Sequence, residues 1–100
     1  WNHDTDKIDS LMNELYSRFT KNNIPVIIGE FGAMNKDNED DRAAWVEYYL
    51  KAAKKVGICC LWWDNGLFDG DGERFGLFDR YTYKCRYLKV LNGIELGSGT

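Results

Sequence analysis

The sequence is short of the residues that announce redox, metal or polynucleotide chemistry. Its three cysteines are an odd count: Cys59 and Cys60 are adjacent and Cys85 stands alone. That is neither a disulfide framework nor a CxxC metal site; they are expected to act as small buried hydrophobes. His3 is the single histidine, with no second ligand at helical spacing, so a solvated loop is its expected place. No window approaches the run of roughly 18 apolar residues that a membrane span needs. The 13 Lys and Arg are scattered, and the net charge of −3 with a pI near 5.1 argues against nucleic acid or an anionic membrane as partner. There is no internal repeat, Gly-rich phosphate loop, GxSxG elbow or interleaving of basic and aromatic residues. Those absences weigh against nucleotide, esterase and nucleic-acid functions, and no cofactor is expected.

What is present is globular and aromatic. One hundred residues allow one small domain. The hydrophobic share is 44% and the aromatic share 15%, with four tryptophans and six tyrosines, more than a minimal core requires. The opening Trp1-Asn2-His3-Asp4 has no signal-peptide character and no initiating methionine; the expectation is a segment of something longer.

The chain is organised around Ile24-Pro25-Val26-Ile27-Ile28-Gly29-Glu30-Phe31-Gly32. Its β-branched middle predicts a buried strand, in a parallel sheet. A carboxylate sits at its C-terminal end between two glycines. A core strand has no use for an unpaired Glu30, whereas the C-terminal ends of parallel strands open into the crevice where α/β proteins place their chemistry. The plainer alternative is an edge carboxylate paired with a loop arginine.

Around this strand the pattern predicts helix, strand, helix, strand, helix. Asp4 or Thr5 can cap a first helix, whose stripe is Ile8, Leu11, Met12, Leu15, Tyr16 and Phe19. Asn22 or Asn23 supplies its C-terminal turn. Asp37 or Asn38 can cap a second helix, with Glu39, Asp40 and Asp41 at its positive end and Gly57 at its close. Ile58-Cys59-Cys60-Leu61-Trp62-Trp63 is a second buried strand, leading into Asp64-Asn65-Gly66. If the two strands run parallel, their tips meet and an indole lies beside Glu30; neighbouring strands are about 4.8 Å apart. Asp69-Gly70-Asp71-Gly72-Glu73 has a superficial likeness to a calcium loop, but is too short for that pattern and lacks its distal glutamate, so no metal is expected. A last helix is expected over about 83–91, and residues 97–100 as a flexible tail.

Taken together, the Gly29-Glu30-Phe31-Gly32 element, Asp41-Arg42 opening a helix, and Leu61-Trp62-Trp63-Asp64-Asn65-Gly66 resemble the C-terminal part of family 5 glycoside hydrolases, the bacterial endo-β-1,4-glucanases or cellulases. The likeness covers about residues 1–84. It implies an α/β fold: the last two parallel strands of a (β/α)8 TIM barrel with flanking helices, over residues 1–96. By the resemblance Glu30 is the catalytic nucleophile of a retaining enzyme. Trp63 floors the sugar subsite beside the cleaved bond, with Trp62 as the alternative, and Asn65 reaches a sugar hydroxyl. The substrate class implied is a β-glucan, polymer or oligosaccharide, and the location implied is extracellular. The family's acid/base glutamate and its first six strands have no counterpart in residues 1–100, so the isolated chain is expected to be nearly inactive. Two strands cannot close an eight-stranded barrel. Their open edges call for the remainder of the barrel or for self-association. The competing readings are a non-catalytic carbohydrate-binding module, which the helical periodicity disfavours, and a plain interaction domain whose tryptophans are core.

Overall fold

The computed structural model describes residues 1–99. α1 spans Asp6–Arg18, and a short 3-10 turn at Thr20–Asn22 ends on Asn23 in the left-handed conformation. β1 is Ile27–Phe31, α2 is Glu39–Lys55 and β2 is Cys59–Trp62. A two-residue hairpin follows, β3 at Phe78–Asp79 and β4 at Lys84–Cys85, and then α3, Leu88–Ser98. β1 and β2 pair in parallel, as their matching polar tips require. This is the expected α-β-α-β-α order with a hairpin added. Two strands do not close a barrel, and the unit is the partial barrel the sequence implied.

The helices start and stop for local reasons. Thr5 stands at the N-cap of α1 without a side-chain bond, while Asp4 Oδ1 accepts the Asp6 N–H at 2.9 Å. Asn38 stands at the N-cap of α2, and Glu39, Asp40 and Asp41 fill its first turn, where the helix dipole favours anions. Gly57, with φ +78°, turns the chain out of α2. That left-handed geometry suits glycine.

α2 is the centre of the packing: α1, β2 and α3 all lie against it. Val46, Tyr49, Leu50 and Ala53 are buried along it, joined by Ile8 and Met12 of α1, Phe31 of β1 and Val90 of α3. Phe31 stacks on Tyr49 with ring centroids 4.9 Å apart. The buried surface is therefore one face of the sheet. The expectation of strands buried throughout fails on the other face, where Ile27 is 68% and Leu61 55% exposed. Among the described residues no element covers that side.

The end of the chain also departs from expectation. The last helix begins at Leu88 rather than near Tyr83, because residues 78–85 are taken by the hairpin. Asp79 Oδ1 accepts the N–H groups of Tyr81 and Thr82 at 2.8 and 3.1 Å, and Tyr83 is left-handed with φ +60°, so no helix can start there. Nor is there a tail from Gly97, since α3 runs through Ser98. A Cβ on Gly97 would lie 2.7 Å from Leu50 Cβ and 2.8 Å from the Glu47 carbonyl. One on Gly93 would lie 2.6 Å from the Ala43 carbonyl. The two glycines, one helical turn apart, let α3 press directly onto the α2 backbone. Thr100, the last residue of the expected tail, lies outside the described residues.

Candidate active site

The register of the two strands decides where each side chain goes. Ile27 is opposite Cys59 and Ile28 opposite Cys60, but Phe31 is opposite Trp62. Gly29 and Glu30 together thus face Leu61, a β-bulge in β1. Side chains alternate along a regular strand, so Phe31, three residues beyond Ile28, would otherwise point away from it. The bulge restores the match. Ile28 and Phe31 both join the helix side with Cys60 and Trp62, and Glu30 is left exposed outside that core. Bulges next to active sites commonly re-aim a side chain in this way.

Beyond the bulge the two strand tips remain bonded. The Trp63 N–H donates to the Phe31 carbonyl at 2.8 Å, which ties Trp63 to the residue that follows Glu30. Trp63 is 40% exposed. Trp62 lies on the opposite, helix side, edge-on to Phe31 at 5.6 Å, with its indole Nε1 buried and without a partner. Of the two tryptophans, Trp63 is the more open, and the strand tip that carries it is bonded to the one that carries Glu30.

Glu30 is not tied up elsewhere. The ion pairs among the described residues join Trp1 and His3 to Asp41, Arg18 to Glu14, Lys51 to Glu47 and Lys89 to Asp40. None takes Glu30 as the loop-arginine alternative requires. His3, 3.7 Å from Asp41, is exposed. No group of three or more His, Cys, Asp or Glu side chains that could hold a metal occurs among the described residues.

Asn65 is mostly engaged within its own loop. Its Nδ2 donates to the Glu73 carbonyl at 2.7 Å, and its Oδ1 accepts from Leu67 N–H at 3.1 Å and Phe75 N–H at 3.2 Å. An amide side chain offers two donors and two acceptor lone pairs, so one N–H is left over. Asp64, which the sequence reading passed over, closes the same loop. It accepts the Gly66 and Phe78 N–H groups at 2.9 and 3.0 Å, and its carbonyl accepts from Arg80 Nη2 at 2.8 Å. The Asp-Asn-Gly run was the available signal, since such residues fold back onto nearby backbone. The thiols divide as the tryptophans do. Cys59 is exposed, while burial, aided by neighbouring Cys59, pushes Cys60 up to about 11.

The chain is similar in sequence and in fold to known proteins. The family model for cellulase (glycosyl hydrolase family 5) matches residues 1–69. Endoglucanase B of Neocallimastix patriciarum is 54% identical over 97 residues, covering 97% of this chain and 20% of that protein. Endoglucanase B of Ruminococcus albus is 44% identical over 95 residues, covering 88% and 23%. The chain spans about a fifth of the length of these curated relatives. Among solved structures, a GH5 family lichenase from Caldicellulosiruptor sp. F32 superposes with a TM-score of 0.93 at 40% identity, over 98% of this chain and 26% of that one. A GH5-4 broad specificity endoglucanase from Ruminococcus champanellensis with bound cellotriose gives 0.88 at 42% identity, over 94% and 27%.

Proposed function

This chain belongs to glycosyl hydrolase family 5, and from that membership we propose that it supplies the nucleophile half of a retaining endo-β-1,4-glucanase site. The supporting observation is the bulge that leaves Glu30 exposed and unpaired at a strand tip bonded to the one carrying Trp63.

In this reading the Glu30 carboxylate attacks the anomeric carbon of a β-linked glucosyl unit. The glycosidic C–O bond breaks as the new ester bond forms. The leaving oxygen takes its proton from a second carboxyl group, supplied by barrel outside residues 1–100 and held about 5–5.5 Å from Glu30. That second group, now a carboxylate, draws a proton from water, which releases the sugar and restores Glu30. Trp63 offers its face to the apolar C–H side of the sugar ring. Trp62 does not share that task, being packed on Phe31. Asn65 brings its remaining N–H to a sugar hydroxyl and keeps the loop after β2 in shape. The substrate class is β-1,4-linked glucan, in line with the cellotriose bound by a relative of 42% identity. An enzyme that cuts polymeric glucan would work outside the cell. The bare sheet face is covered by the remainder of the barrel or, in the chain alone, by a second copy.

The test is a chimeric barrel in which residues 1–97 replace the matching segment of the Neocallimastix endoglucanase B. Glu30→Gln should lower hydrolysis of a β-glucan by roughly 10^4-fold or more, with folding intact. Retained activity in that variant would remove Glu30 from the nucleophile role. The isolated chain should show almost no turnover.

A further inference from the structure

Arg42 is the least expected core residue. It lies in the first turns of α2 and is 1% exposed. Its Nε–H donates to the Ala33 carbonyl at 3.2 Å, and its guanidinium lies over the Tyr87 ring, 4.9 Å from the centroid. Both terminal nitrogens are buried without a hydrogen-bond partner. Burial lowers its pKa, with Tyr87 and Glu39 opposing. One carbonyl and one ring face do not compensate the desolvation of a guanidinium. Replacing buried charged groups by apolar side chains of similar volume is often neutral for stability, so stability alone does not explain this residue.

Its contacts suggest another purpose. Ala33 belongs to the loop that leaves β1 just beyond Glu30. In that loop Asn35, itself buried, donates from Nδ2 to the Tyr87 hydroxyl at 2.9 Å, and its backbone N–H donates to the Arg74 carbonyl at 2.9 Å. A Cβ on Gly32 would meet the Phe75 ring at 3.4 Å and the Trp63 carbonyl at 3.7 Å. The loop after β1 is thereby fastened to α2 through Arg42, to the start of α3 through Tyr87, and to the loop after β2 through Arg74 and Phe75. Arg74, Phe75 and Tyr87 all lie past residue 69, where the family-model match ends.

We propose that Arg42 and Tyr87 are positioning residues: together they hold the strand tip that carries Glu30 in register with the one that carries Trp63. The proposal rests on Glu30 being the nucleophile, and the experiment separates the two. In the chimeric barrel, Arg42→Met should lower kcat about tenfold to a hundredfold, the range expected when a reacting group is misplaced by about an ångström. KM should change little, and the thermal midpoint should stay level or rise. Tyr87→Phe keeps the ring under the guanidinium and loses only the hydroxyl, so its kcat should fall less. An unchanged kcat, or a kcat and midpoint that fall together in Arg42→Met, would overturn the proposal. In the chain alone, hydrogen exchange should quicken in both variants at the amides of Asn35 and Trp63 and not in α1. Unaltered exchange at those two amides would also overturn it. Activity that survives Glu30→Gln, with the exchange result as expected, would count against the nucleophile and leave the clamp in place.

Discussion

The two faces of one short sheet differ completely. On the helix side, Ile28, Phe31, Cys60 and Trp62 pack against α2 and its neighbours. On the other side Ile27, Leu61 and Trp63 stand open. Glu30 is exposed as well, and the bulge at Gly29-Glu30 is what keeps it out of the packed face. The chain thus has one packed sheet face and one open one, and on the proposed function the open one is half of a site. A barrel strand must satisfy helices outside and layered side chains within, and residues 1–99 meet only the first demand.

The largest effect should come from breaking the finished face. A Cβ at Gly93 would meet the Ala43 carbonyl at 2.6 Å and Val46 Cγ1 at 2.9 Å, and backbone cannot yield as a side-chain tip can. Gly93→Ala should cost about 2–3 kcal/mol, enough to unfold so small a unit. A circular-dichroism melt checks this, and an unshifted midpoint would mean α3 is not seated as described. Next, the adjacent tryptophans should separate the two faces. Trp62→Ala, at a half-buried position, should cost about 2 kcal/mol of stability. Trp63→Ala should change the melt by about 0.5 kcal/mol or less, yet raise KM for a β-glucan about tenfold in the chimeric barrel. Equal effects of the two on stability would erase the distinction. Smaller again is association of the chain alone. Ile27→Glu with Leu61→Glu should shift its sedimentation to that of a monomer without lowering the melting midpoint. A wild-type chain that is already a compact monomer would show that the open face needs no cover.

The two strands, their parallel pairing and the carboxylate at the first strand's tip were legible in the residues, because short apolar runs ending in polar tips carry that information locally. The resemblance favoured Trp63 over Trp62 as the sugar-facing indole, with Trp62 kept as the alternative. Alternation says only that the two point opposite ways, and the register across Gly29-Glu30 settles which faces outward. The hairpin was missed because strands as short as Phe78–Asp79 and Lys84–Cys85 have no period to read. Gly97 looked like tail because Gly-Ser-Gly-Thr is tail-like in composition; its role depends on Leu50 and Glu47, which only the fold brings near. Arg42 belongs to the same class. Asp41-Arg42 was legible as a motif opening a helix, but nothing local predicts that Arg42 is buried or that Tyr87, 45 positions later, lies under it.

The adjacent cysteines give the finest probe of the two faces, since they differ in little but direction. The thiolate is the reacting species. Cys60, half-buried on the helix side and raised to about 11, should alkylate slowly at pH 8 and gain reactivity only as the pH approaches that value. Cys59 is exposed on the open face, so a maleimide should label it first in the isolated chain, as peptide mass mapping would show. Placing the chain in a complete barrel leaves the environment of Cys60 unchanged but covers Cys59 with interior side chains. The rate at Cys59 should then fall towards that of Cys60, while the rate at Cys60 stays where it was. If Cys59 labelled equally fast in both settings, the face that carries Leu61 and Trp63 would not be the barrel's interior, and the placement of Glu30 beside a sugar-binding cleft would go with it.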